Sequence, residues 1–217
     1  MEVKKGVFVK AAIAAIAVFA LAILFGYYVE SNAYSYTEKK LVDLQEGMES
    51  SMLFSLFVQT HNDSESMCLV MKNQLDDSAQ KTYDVYGALE QSKSTSIFGN
   101  YDVLRKKYFL ANMRFYLMLK SYILSCNDTS LTPILFFYST YNDCPSCVAQ
   151  GQVLDEVRAE CKNVRVYAFP ADTEELSLIK AFKAYYNINS VPALVIQDDT
   201  YSSLMSKDKI KAAVGCS

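Results

Sequence analysis

The sequence predicts a membrane anchor, then an all-α segment, then a small α/β domain, and three observations carry that reading. Near the N-terminus, Ala11 to Val29 runs without a charge. From about Tyr36 to Cys126 there is no proline, and apolar residues recur at threes and fours, the period of a helix face. From Leu131 the pattern changes to short apolar runs alternating with helical stretches, as expected of strands covered by helices. The predicted divisions are 1–33 for the anchor, 34–127 for a three-helix segment and 131–217 for the α/β domain.

Composition narrows the function classes. A chain of 217 residues is long enough to bury a real core. Its net charge of −3 and the lack of any basic stripe exclude a nucleic-acid partner. A hydrophobic content of 51% with six cysteines, an even number, points to a membrane-attached protein in an oxidising compartment.

The uncharged stretch is preceded by Lys4, Lys5 and Lys10 and closed by Glu30. At roughly 1.5 Å of rise per residue it just crosses a hydrocarbon core. A cleaved secretory signal is the alternative, with Ser31-Asn32-Ala33 as the cleavage site, but a signal's apolar region is ordinarily shorter. Both readings export the rest of the chain. Three lysines before the span against Lys39 and Lys40 after it favour a single-pass cell-membrane protein, N-terminus cytoplasmic and C-terminal domain extracytoplasmic. Glycosylation-type triplets at Asn62 and Asn127 agree with that side.

The first helix carries Leu41, Leu44, Met48, Met52 and Leu56 on one stripe and ends near Thr60. After the polar stretch His61 to Ser64, a second carries Cys68, Met71, Leu75, Ala79, Tyr86 and Leu89 and dies in Ser92 to Ser96. A third, after Gly99-Asn100, carries Tyr101, Leu104, Tyr108, Ala111, Phe115, Leu119, Tyr122 and Cys126. Such stripes bury one another. If the last two helices form a hairpin centred near residue 97, Cys68 and Cys126 lie 29 residues either side of it and meet level. A disulfide Cys68–Cys126 is expected in an exported chain; the alternative is two free buried thiols.

Ile134 to Tyr138 is a nearly continuous apolar run that suits a central strand. Turn-forming residues Ser139 to Asp143 come next, and from Cys144 the spacing is helical, with Cys147, Leu154, Val157 and Cys161 on one stripe. Cysteines at a helix start face unpaired N–H groups and a partial positive charge, which favour the thiolate. Cys144, the exposed one, is the candidate nucleophile, and Cys147, deeper by almost a turn, the resolving thiol. Pro145 costs no hydrogen bond there. The remaining order is a strand Val164 to Phe169, a helix Thr173 to Tyr186 opened by solvated Glu174-Glu175, a strand Ala193 to Ile196, a turn at Gln197 to Asp199, a strand Tyr201 to Leu204 and a helix Lys207 to Val214. This alternation predicts a mostly parallel sheet with a hairpin at one edge.

The apolar strand before Cys144-Pro145-Ser146-Cys147, the helix these open, and Ser190-Val191-Pro192 before a third strand resemble the thioredoxin superfamily, over residues 131–217. The whole layout looks like a membrane-anchored prokaryotic thioredoxin-like protein. The resemblance implies that Pro192 is cis beside the cysteine pair and that Val191 pairs with bound substrate through its backbone. It also implies that the helices bearing Cys161 and Cys216 share a face, so that a structural disulfide Cys161–Cys216 fits at the pole away from the site; two free thiols are the alternative. The family's leading strand and helix are missing, and the Tyr101 to Cys126 helix is expected to fill their space. Two departures stand out: Asp143 replaces the usual tryptophan, and Phe137 or Tyr138 falls where an acid is usual. With no histidine between the cysteines and Asp143 opposing the helix dipole, Cys144 is expected to have only a modestly lowered pKa.

The leading functional expectation is a thiol–disulfide oxidoreductase acting on cysteine-containing exported proteins, with a redox partner and no cofactor. The alternative is a non-catalytic thioredoxin-like interaction module whose Cys144–Cys147 bond is structural. A metal site is not expected, since the other cysteines are isolated and His61 is the only histidine. Oligomeric state is left open.

Overall fold

The computed structural model describes residues 5–59, 64–95, 100–139, 144–173 and 176–216. The elements are α1 (Lys5–Gln59), α2 (Ser64–Thr95), α3 (Asn100–Cys126), β1 (Thr132–Tyr138), α4 (Pro145–Glu160), β2 (Val164–Pro170), α5 (Ser177–Tyr185), β3 (Ala193–Ile196), β4 (Asp199–Tyr201) and α6 (Lys207–Ala213). They form two compact units, Met1–Gly47 with Ser78–Tyr108, and Met48–Asp77 with Phe109–Ser217, so the division runs across the three long helices.

In the first unit the apolar span and the helix expected from Tyr36 onward are one helix, because nothing in residues 30–36 breaks it: there is no proline or glycine there. Residues 11–29 are almost wholly solvent-facing, and none of the apolar window is buried. A stretch this long and apolar, left uncovered by protein, is suited to cross a membrane. Further along the helix Leu41 and Leu44 are buried, as are Val85 and Leu89 of α2 and Leu104 of α3. Thr37 Oγ1 donates to its own helix at Ala33 and to Ala88 of α2, while Lys107 bonds Glu38.

Two of the expected stripes need correction. On α1, Met48 is buried but Met52 is 65% exposed and Leu56 nearly half, so the apolar run outlasts the packing available to it. On α2, Tyr86 points outward and the buried line runs instead through Ser78, Thr82 and Val85. Thr82 Oγ1 bonds the Ser78 carbonyl one turn back, which lets a hydroxyl sit in a core. The loops expected at 61–63 and around 97 lie outside the described residues, as does Asn62.

The second unit is built on a four-stranded sheet of order β2-β1-β3-β4. Only β1 and β2 are parallel; β1–β3 and β3–β4 are antiparallel, which corrects the expectation of a mostly parallel sheet. The reason is the path between β2 and β3. Pro170 pairs with Tyr138 and Ala193 with Phe137, so the connection through α5 leaves and re-enters at one pole and reverses the strand. β4 begins at Asp199, earlier than expected, because Gln197 and Asp198 both take positive φ (51° and 70°) and close a two-residue hairpin.

Period-two alternation divides the core. Ile134, Phe136, Leu194 and Ile196 face Leu154 and Val157 of α4 and Ile210 and Val214 within and beside α6. The opposite face presents Phe137, Tyr167 and Phe169 to α3 and α5: Phe115 and Tyr116 of α3 meet Tyr167 edge-on at centroid distances of 5.3 and 5.5 Å, and Phe182 packs on Tyr116 and Phe169. α3 and α5 therefore share the sheet face opposite α4 and α6. At its end Cys126 is disulfide-bonded to Cys68, Asn127 takes a left-handed φ of 49°, and Asp128 accepts from Tyr122 Oη and from the Ser130 amide. Those hydrogen bonds, with Lys72 at 3.7 Å, hold the Asp128 carboxyl down at about 2. Burial and the same carboxylate push the Tyr122 phenol up to about 12.

Candidate functional site

β1 ends at the same pole at which α4 begins. Cys144 caps α4 with φ −116°, ψ 78°, and Pro145 takes the first helical position, where no N–H is needed. The Cys144 carbonyl accepts from the amides of Cys147 and Val148, at 2.9 and 3.2 Å, so the first turn closes on it. Its sulfur also accepts from the Cys147 amide at 3.2 Å, and the Ser146 hydroxyl lies 3.5 Å away. A sulfur held in a helix N-terminus between two polar hydrogens is where negative charge is best tolerated.

Cys144 is bonded to Cys147. The two differ in surroundings: Cys144 is partly exposed, while Cys147 is 5% exposed and belongs to the apolar core between α4 and the sheet. The sulfur of Cys144 is thus open to an incoming group, whereas that of Cys147 is covered on its other sides by the core.

Val191–Pro192 is cis. Pro192 is buried and immediately precedes Ala193, whose partner across the sheet is Phe137, so the dipeptide sits by register at the strand end from which the chain runs to Cys144. Val191 packs against the same apolar cluster as Cys144 and Tyr138. The remaining cysteines are bonded as Cys68–Cys126 and Cys161–Cys216. Asp143 and Glu174-Glu175 lie outside the described residues. Among the described residues no three His, Cys, Asp or Glu side chains gather as a metal would require.

Two features near the site were not read from the sequence. Gln150, one turn beyond Cys147, is fully buried: its Oε1 accepts from the Met205 amide at 2.7 Å and its Nε2 donates to the Met205 carbonyl at 3.4 Å. One amide thus satisfies both backbone groups of a buried loop residue and ties that loop to α4. The signal was present, since positions 147, 150, 154 and 157 share the buried stripe and Gln150 is its one polar member. Ser139 Oγ donates to Asp172 Oδ2 at 2.7 Å, joining the ends of β1 and β2 beside the site. Nothing local to either residue announces that pairing.

The chain matches no known protein-family model and none of the curated proteins it was compared with.

Proposed function

We propose that this chain is a membrane-anchored thiol–disulfide oxidoreductase, with a thioredoxin-like C-terminal domain that acts outside the cytoplasm on cysteines of exported proteins. The observation that carries the proposal is the asymmetric pair itself: a partly exposed sulfur capping a helix N-terminus, bonded to a buried one three residues on. The cis Val191–Pro192 at the same pole supports the thioredoxin-like reading, as does the β1–α4–β2 parallel unit.

In the reducing direction, Cys144 thiolate attacks one sulfur of a substrate disulfide. A Cys144–substrate bond forms, the substrate bond breaks, and the departing thiolate takes a proton from solvent. Cys147, deprotonated, then attacks Cys144 Sγ and releases the second substrate thiolate. Two electrons pass to the substrate, and the protein is left as the Cys144–Cys147 disulfide. A dithiol redox partner restores the thiols, and the reverse sequence donates the disulfide. The helix N-terminus stabilises Cys144 both as attacking thiolate and as leaving group.

Trapping tests this in the full-length chain in its own membrane. Cys147→Ser cannot complete the second step, so exported proteins should accumulate on Cys144 as adducts that a thiol reductant releases. Cys144→Ser/Cys147→Ser should capture none. Equal recovery from both variants, or none from either, sinks the enzymatic reading.

The apolar surroundings of Cys147 favour a second reading, an interaction module in which the bond is permanent, because burial raises a thiol's pKa and slows the resolving attack.

A further inference from the structure

At the pole opposite Cys144, where β1 begins and β3 ends, the second unit holds a cavity of about 190 Å³ between α3 and the sheet. Its floor is apolar, with Leu135 and Val195, directly paired across β1 and β3, on one side and Ile123 and Leu131 at the rim. A dry cavity of about 150 Å³ holds one benzene ring, so this one has room for a single ring with a substituent. One wall is polar. Tyr116, Lys120 and Asp198 form a connected network there, with Thr129, Thr132 and Gln197 as further polar lining, and Tyr186 stands behind the network, its hydroxyl bonded to both Tyr116 and Asp198.

The direction of each proton in that wall is fixed by valence. Asp198 as a carboxylate only accepts, so the 3.2 Å contact spends the one hydrogen of Tyr186. The 3.0 Å contact between the two phenols must then use the hydrogen of Tyr116. Burial and the Tyr186 bond raise the Tyr116 phenol far above its ordinary range, so that hydrogen stays in place. Lys120 gives two hydrogens to Asp198, both at 2.9 Å, and keeps a third. What this network still offers is an acceptor on Tyr116 oxygen and a donor on Lys120.

We propose that this cavity is a binding site for a small neutral molecule with one ring and one hydroxyl, of the phenol or cyclohexanol class. A hydroxyl gives and takes one hydrogen bond, which matches the two groups left over. A carboxylate of the same size would lie against Asp198, and an ammonium against Lys120, so neither ion fits as well. The site shares no residue with the cysteine pair and stands independently of the redox reading.

The test uses the full chain in lipid nanodiscs and 4-fluorophenol monitored by fluorine NMR, with empty nanodiscs as the blank and fluorobenzene as the ring without the hydroxyl. Saturable binding of 4-fluorophenol above the blank is expected, with fluorobenzene several-fold weaker, on the order of the 2- to 10-fold one hydrogen bond supplies. Tyr116→Phe should weaken 4-fluorophenol by a similar factor and leave fluorobenzene unchanged. Ile123→Trp, which fills the rim, should abolish both. Should Tyr116→Phe not fold, Lys120→Met removes the donor from the same wall and must lower the preference for the hydroxyl. No binding above the blank, equal affinity for the two rings, or indifference to the wall variants overturns the proposal.

Discussion

The two ends of α4 each carry a disulfide, and the contrast between them separates a bond suited to exchange from one suited to holding the fold. At the start, Cys144 caps the helix, is partly exposed, and closes a bridge of sequence separation 3. At the end, Cys161 is the C-cap, is 1% exposed, and closes a bridge of separation 55 to Cys216. One helix dipole acts on both with opposite sign: it favours a thiolate at Cys144 and disfavours one at Cys161. Access obeys the same division, because an attacking thiolate must reach a sulfur. Chain entropy points the same way again. Closing the longer loop restricts the unfolded chain by about 4 kcal/mol, the short one by only about 2.

The largest expected effect breaks the first end alone. With Cys144→Ala, reduction of an exposed substrate disulfide such as insulin's should fall to background, whereas Cys161→Ala/Cys216→Ala should keep activity wherever the protein stays folded. Turnover assays on both, at a temperature below either midpoint, decide it. Equal losses would mean that the two ends are not functionally distinct.

Stability should invert that order. Removing the Cys161–Cys216 bridge is expected to cost about 4 kcal/mol in denaturant unfolding, and removing Cys144–Cys147 no more than about 2. A larger loss from the short bridge would assign it the structural role.

Gln150 sits on α4 between the two bridges. Gln150→Leu keeps the volume but leaves the Met205 amide and carbonyl buried without partners, a loss of about 2–3 kcal/mol. Gln150→Glu should recover part of it only at acid pH, where the protonated carboxyl can accept from the Met205 amide and donate to the Met205 carbonyl. A neutral result for Gln150→Leu would show that the loop finds other partners.

A smaller effect concerns the Cys68–Cys126 bridge and depends on pH. The Asp128 carboxyl is held at about 2 in the fold against 3.8 as the ordinary value, so its contribution is fully present above about 4 and is lost as pH falls toward 2. Asp128→Asn should remove that acid-range decline, about 1 kcal/mol after solvent screening, while leaving the slope near neutrality alone. Unfolding midpoints of the two proteins between pH 2 and 5 measure it. Smallest of all, Glu160→Gln cuts exposed bonds to Lys207 and Lys211 and should leave the midpoint unchanged.

What the sequence made legible was periodicity. The α3 positions Leu104, Tyr108, Ala111, Phe115 and Leu119 are all buried, and the strand and helix order after Leu131 is the one observed. Strand direction was not legible, because nothing in residues 171–192 says whether that connection crosses the sheet or returns to the pole it left. Hydroxyl-bearing core positions were missed on α2: Thr82, for one, looks polar until the Ser78 carbonyl of its own helix satisfies it. At the site, the Cys144–Cys147 spacing and the helix it opens could be read locally. Gln150 could not be interpreted, because its partner is the backbone of Met205, fifty-five residues away, and a backbone carries no sequence signature. The polar wall of Tyr116, Tyr186, Lys120 and Asp198 was hidden for the same reason of distance along the chain.

The contrast between the two ends of α4 is tested most directly by equilibrating the full chain across glutathione buffers and reading each cysteine by thiol trapping and mass spectrometry. Cys144–Cys147 is expected to exchange within the span of known dithiol catalysts, roughly −120 to −270 mV, while Cys161–Cys216 and Cys68–Cys126 stay bonded throughout. If Cys144–Cys147 resists reduction below about −300 mV, or opens together with the other two, the division of labour along α4 is contradicted.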